Sequence, residues 1–145
     1  MAAIKSVHEF KDAWRWPEDV ERFIRKKIPE GRVLNVPAGK SPLGDVQVDP
    51  DSSLQGGVIP GDMQRLPFKD AVFDGVVADP PWKSVDVFDR HSLFYELVRV
   101  TKPGGLIIHN ASWIPDSDQA EKVGEYRRAD DSFRDISVIS VFRRY

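Results

Sequence analysis

Apolar positions recur along the chain with two different periods. Val20, Phe23, Ile24 and Ile28 fall three and four residues apart behind Pro17-Glu18-Asp19, a proline and two acids of the kind a first helical turn favours. Arg25, Lys26 and Lys27 follow where a helix C-terminus favours cations, and Pro29 and Gly31 end the segment, so the spacing predicts one helix there. Leu93, Phe94, Leu97, Val98 and Val100 give a second apolar stripe over 90–100, stopped by the turn Lys102-Pro103-Gly104-Gly105. Between and after these helices the runs are short: Arg32-Val33-Leu34-Asn35-Val36, Asp45-Val46-Gln47-Val48-Asp49, Val58-Ile59-Pro60, Val72 to Asp79 and Leu106 to Asn110. Each reads as a strand, with Leu66-Pro67-Phe68 as an apolar plug under the sheet. Ile136, Val138, Ile139, Val141 and Phe142, behind the polar turn Asp130-Asp131-Ser132, predict a closing β-hairpin over 124–145.

Short apolar strands joined by connectors that include helices imply an α/β protein with a mainly parallel sheet. Ligands of such sheets bind beyond the carboxyl ends of the strands. Asp49, Asp62 and Asp79 all fall at or just after strand ends, which makes that edge the first candidate site. The 145 residues fit one domain, 1–145, and shares of 41% hydrophobic and 30% charged residues are those of an ordinary globular chain. No apolar run is long enough to span a bilayer, and the polar start over 1–10 does not read as a signal peptide, so the expectation is a cytoplasmic protein without a membrane partner. The absence of cysteine excludes disulfides and thiolate metal sites. His8, His91 and His109 show no ligand spacing, and no serine sits in a nucleophile elbow. A formal net charge of −2 lacks the basic excess of a protein that grips nucleic acid over its whole surface. The clusters Arg25-Lys26-Lys27, Arg127-Arg128 and Arg143-Arg144 read equally as solvated helix ends and hairpin rims.

In their order, four segments resemble the class I S-adenosylmethionine-dependent methyltransferases. Val33 to Gly39 is similar to the family's first strand and glycine loop, and Val46 to Asp49 to its second strand with a terminal acid. Gly61-Asp62-Met63, Leu66-Pro67-Phe68 and Phe73-Asp74-Gly75-Val76-Val77 resemble the next block, and Glu96 to Gly105 the helix and Pro-Gly-Gly turn that follow. The resemblance implies a three-layer Rossmann-like fold whose mostly parallel sheet is closed by a C-terminal antiparallel hairpin. Its parts would be an N-terminal segment and helix over 1–30, a cofactor-binding core over 31–110 and a C-terminal region over 111–145. The implied cofactor is S-adenosyl-L-methionine. Asp49 would accept the ribose hydroxyls and Asp62 the adenine amine, with Met63 against the ring. Asn35 and the loop Pro37, Ala38, Gly39 and Lys40 would meet the methionine part, where small residues let the backbone come close. As plain structure, Asp49 and Asp62 read as turn or cap acids.

The motif Asp79-Pro80-Pro81-Trp82 resembles the Asp/Asn-Pro-Pro-aromatic signature of methyltransferases acting on planar amino groups in adenine, cytosine or glutamine amides. The lone pair of such an amine is delocalised, so the nitrogen is a poor nucleophile. The Asp79 carboxylate and a prolyl carbonyl, that of Pro80, each accepting one N–H, would favour the pyramidal nitrogen of the transition state. Trp82 offers a face for stacking. In isolation the same four residues are a Pro-Pro turn with a packing Trp.

Against the family pattern, Asn35 stands where the first acid of the loop is expected and Pro37 where its first glycine is. The stretches 40–44 and 50–60 are too short for the usual helices, so helices are shortened or missing and some sheet surface is left for a homodimer or protein partner. No extra domain for a long nucleic-acid target is evident, although Trp14, Arg15 and Trp16 offer aromatic surface for an acceptor as well as for simple packing. The leading expectation is a methyltransferase for a nucleobase amine in DNA, RNA or a nucleotide. The alternatives are a small-molecule or protein acceptor, or a methyltransferase fold that binds without catalysis.

Overall fold

The computed structural model describes residues 18–80, 87–127 and 138–145. In chain order these form α1 (Glu18–Lys27), β1 (Val33–Val36), β2 (Val46–Asp49), β3 (Ile59–Pro60), β4 (Phe73–Ala78), α2 (Val87–Val100), β5 (Thr101–Ala111), β6 (Ala120–Arg127) and β7 (Val138–Arg144). The seven strands make one sheet in the order β3-β2-β1-β4-β5-β7-β6. Strands β1 to β5 pair in parallel, and β7 runs antiparallel between β5 and β6. The expected hairpin is therefore present as β6 and β7, and its turn over 130–132 lies outside the described residues. Helix α2 starts three residues before the position that the apolar stripe marks, and the Pro-Gly-Gly segment runs on into β5. Gly105 is required there because a Cβ would lie 2.7 Å from Thr101 Cγ2 and 2.8 Å from the Asp74 carbonyl oxygen.

Side chains alternate across the sheet, and the two core clusters divide accordingly. Val33, Val77, Ile108, Ile139 and Val141 pack with Val20 and Ile24 of α1. Leu34, Val36, Val76, Ala78 and Ile107 pack on the other face with Leu93, Phe94, Leu97 and Val98 of α2. The result is three layers, α1, sheet and α2.

Among the described crossovers only that from β4 to β5 carries a helix; 37–45, 50–58, 61–72 and 112–119 cross without one. The α2 side chains Glu96 and Arg99 hold the 61–72 crossover in place of a helix of its own. Glu96 Oε2 accepts the Leu66 N–H at 2.6 Å. Arg99 donates to the carbonyls of Phe68 at 2.8 Å and Leu66 at 3.2 Å, to Asp70 at 2.9 Å and back to Glu96 at 2.5 Å. Leu66 is thereby seated in the core as the apolar plug, with Phe68 edge-on to Phe73 at 5.0 Å. The 112–119 crossover packs Ile114 against the same core, and a cavity of about 770 Å³ opens between α2 and residues 116–119. Deeper under α2, His109 is 3% exposed, edge-on to Phe94 at 6.0 Å and to Trp113 at 5.7 Å.

Two stability measurements follow. Hydrogen bonds from Arg99 hold the Glu96 carboxyl below its ordinary range, so Arg99→Ala leaves a largely buried carboxylate and two carbonyls unpaired. The expected cost is about 2–3 kcal/mol, a drop in Tm of roughly 5–10 °C by calorimetry; an unchanged Tm would show that the crossover holds without this pair. Burial pushes His109 from its ordinary 6.5 down to about 3. The folded protein keeps this ring neutral while the unfolded chain takes up a proton, so stability falls as pH drops below about 6.5. Between pH 7 and pH 5, urea unfolding should show a loss of about 2 kcal/mol that is missing in His109→Phe. Equal losses in the two proteins would mean that His109 is not the group responsible.

Candidate active site

The loop after β1 replaces a helix with a folded turn, and four polar side chains satisfy its backbone. Asn35, 1% exposed at the third position of β1, donates its amide to Ser41 Oγ at 3.2 Å. Gln47 of β2 reaches back to the carbonyls of Leu43 and Gly44, both at 2.9 Å. Gln55, from the next crossover, donates to the carbonyls of Ser41 at 2.7 Å and Gly39 at 3.0 Å. Asp49 completes the set from the carboxyl end of β2: Oδ2 accepts the Gly39 N–H at 2.8 Å and Oδ1 the Asp51 N–H at 2.9 Å. Within the turn, Ala38 N–H bonds the Val48 carbonyl at 2.9 Å and Ser41 N–H the Ala38 carbonyl at 2.8 Å. Gly39 sits at φ +55°, in the left-handed region where glycine carries no Cβ penalty. Ala38 and Gly39 are buried, Pro37 half-buried and Lys40 exposed.

Asp62 follows β3 on the surface, its Oδ1 accepting the Gln64 N–H at 2.9 Å in a local turn. Met63, beside it, is 7% exposed and packs in the α2-side core with Leu66 and Leu34. The structure thus gathers Asn35, Pro37, Ala38, Gly39 and Asp49 into one cluster at the carboxyl ends of β1 and β2. It puts Asp62 after the end of β3 and turns Met63 inward.

Asp79 is the residue after β4, the strand between β1 and β5. Its N–H bonds the Val36 carbonyl at 3.3 Å, where the β1 loop begins, and its Oδ1 accepts from Asn110 Nδ2 of β5 at 3.1 Å. Pro80 is buried. Pro81 and Trp82, like Trp14, Arg15 and Trp16, lie outside the described residues. On the α2 side of this edge, the Arg90 guanidinium lies 4.2 Å from the centroid of the Trp113 ring.

Three contributors fall outside the sequence motifs. Gln47 and Gln55 look like ordinary polar residues in a strand and a loop, and only the missing helix gives them work. Asn110 was visible only as the polar end of the apolar run Leu106 to Asn110, as Asp79 ends the run Val72 to Asp79.

The donor set fits S-adenosylmethionine. Each Asp49 oxygen that accepts an N–H keeps a second lone pair for a ribose hydroxyl. Asp62 presents an exposed carboxylate, and the small residues Ala38 and Gly39 let the loop come close to a ligand. Asn35 spends its amide on Ser41, so no loop carboxylate faces a bound ammonium from the β1 end.

Comparisons with known proteins bear on the fold and the family. The family described as "Methyltransferase domain" matches residues 38–109. No curated protein matches the chain. Among solved structures, a Pyrococcus horikoshii protein superposes with a TM-score of 0.70 at 17% identity, covering 87% of this chain and 88% of that one. A TehB-like S-adenosylmethionine-dependent methyltransferase from Corynebacterium glutamicum gives 0.68 at 13% identity over 98% and 96%. The partner of the Trm112 methyltransferase activator in a complex from Haloferax volcanii gives 0.68 at 14% identity over 98% and 93%. With the strand order, the loop at the end of β1 and the matched span taken together, the chain has a Rossmann-like fold and carries a methyltransferase-domain match over residues 38–109.

Proposed function

We propose that this protein is a methyltransferase that uses S-adenosylmethionine and acts on a planar amino nitrogen, that of a nucleobase such as adenine or cytosine in DNA or RNA. The observation that carries the reading is the position of Asp79. Its backbone is bonded to the residue that opens the β1 loop and its carboxylate to β5, so an anionic acceptor group stands at the junction of the loop and the acceptor side. When bound, the cofactor supplies an electrophilic methyl group. The protein holds its nucleoside end with Asp49 and Asp62 and meets the rest with Asn35 and the 37–40 loop, while Met63 supports the site from the core. Asp79 and the Pro80 carbonyl accept the two N–H groups of the amine, drawing its lone pair out of conjugation as the transition state forms. The carboxylate also stabilises the positive charge that develops on nitrogen. Trp82 supplies the stacking face, and two prolines limit the backbone freedom of the acceptor wall.

A nucleic-acid acceptor sits with a chain of net charge −2 if a partner supplies the basic surface. Strand β6, one of the two edge strands among the described residues, is exposed over most of its length and the crossover before it has no helix, which supports a second copy or another protein as that partner. The Haloferax neighbour in complex with an activator supports the same reading. No helix among the described residues is long and apolar enough to cross a membrane; we place the protein in the cytoplasm.

Calorimetry with S-adenosylhomocysteine tests the cofactor side. Asp49→Ala frees the Gly39 and Asp51 amides and removes the hydroxyl acceptor, so Kd should rise at least about tenfold; an unchanged Kd would remove Asp49 from the site. Transfer from labelled S-adenosylmethionine to single-stranded DNA, transfer RNA and free nucleosides tests the chemistry. Asp79→Ala should slow transfer by on the order of 100-fold or more while binding S-adenosylhomocysteine as the wild type does. Wild-type turnover by Asp79→Ala would sink the amine reading.

A further inference from the structure

We infer that Asn110 is a positioning residue for the transfer reaction, acting through Asp79 by fixing the plane of its carboxylate. The inference rests on the amine reading and adds the group that holds its key acceptor in place. The β4–β5 register pairs Val77 with Ile108 and Ala78 with His109, so Asp79 and Asn110 come next in line at the carboxyl edge. Alternation places both on the α1 side of the sheet, the side of the folded β1 loop, with His109 turned the other way into the α2-side core.

The two residues are held with unequal rigidity. Asn110 lies within β5, is 3% exposed, and its strand is paired on both sides, with β4 and with β7, where it stands opposite Ile139. Asp79 sits one residue past the end of its strand, and the χ2 torsion of an aspartate is broad. The 3.1 Å bond from Asn110 Nδ2 to Asp79 Oδ1 ties the looser side chain to the stiffer strand. The donor is neutral. An amide donor orients the carboxylate without neutralising it, whereas a lysine or arginine in that position would compete with the amine for its charge. Only the amide nitrogen can face a carboxylate, which fixes the orientation of Asn110 as well. Held this way, the carboxylate presents one arrangement of lone pairs to the acceptor, and orientation of this kind bears on the rate rather than on cofactor affinity.

Three measurements test this together. In the wild-type protein the ¹⁵N resonance of the Asn110 side-chain amide, assigned by its loss in Asn110→Asp, should move when Asp79 is replaced by alanine. A resonance that stays in place would overturn the contact itself. In the transfer assay, with the best acceptor from the DNA, transfer RNA and nucleoside panel, Asn110→Ala should lower kcat about tenfold with KM for S-adenosylmethionine unchanged. Asn110→Asp keeps the shape, removes the donor and adds a charge, so it should fall at least as far, and it serves where the alanine variant does not fold. Adding Asn110→Ala to Asp79→Ala should cost nothing further. Wild-type kcat in both Asn110 variants, with Asp79→Ala impaired, would overturn this inference alone, and a rise in KM for S-adenosylmethionine in step with the fall in kcat would assign Asn110 to the cofactor site instead. Full turnover by Asp79→Ala would remove the amine reading and this inference with it.

Discussion

Backbone groups in crossovers too short for a helix must find partners elsewhere, and the architecture of this protein follows from that requirement. A helix satisfies its own amides and carbonyls; a bare connection over a sheet does not, and an unpaired buried group costs about 1–3 kcal/mol. The chain meets the need with side chains. Asn35, Gln47, Asp49 and Gln55 satisfy the loop after β1, and Glu96 and Arg99 satisfy the crossover before β4. Both sets project from strands, from α2 or from a neighbouring crossover, so the regular elements lend their rigidity to segments that have no regular structure.

One consequence concerns Asp49. The carboxylate that suits a ribose also closes the loop that would meet the rest of the cofactor. On the proposed reading, loop structure and ligand recognition draw on the same two oxygens. The neutral residue at position 35 fits this division, because the β1 side chain is occupied with holding Ser41 and the charge of the cluster is concentrated at Asp49.

Much of this was legible in the sequence because it rests on short-range rules. The period of Val20, Phe23, Ile24 and Ile28 located α1, and the acids Asp49, which ends Val46–Asp49, and Asp79, which follows Phe73–Ala78, marked the carboxyl edge. The length of 40–44 showed that no helix could follow β1. Other features depend on partners distant in sequence. That Glu96 and Arg99 serve residues some thirty positions earlier, or that Asn110 meets Asp79, follows only from strand order and register. Met63 shows the limit of position within a motif: beside Asp62 in the chain, it turns into the core while Asp62 stays outside, because the local turn sends adjacent side chains in opposite directions. The start of α2 was placed late because the apolar stripe begins only at Leu93, whereas the helix begins at Val87.

The two hydrogen bonds from Gln55 to the β1 loop have a meaning beyond local geometry. Gln55 belongs to a crossover with no regular structure, and the contact closes when 50–58 and 37–41 are ordered together. The observed affinity for any ligand that needs the closed loop is its intrinsic affinity scaled by the fraction of molecules in which the loop is closed. A substitution in 50–58 that breaks these two bonds would therefore lower the affinity of such a ligand with no change in any atom that touches it.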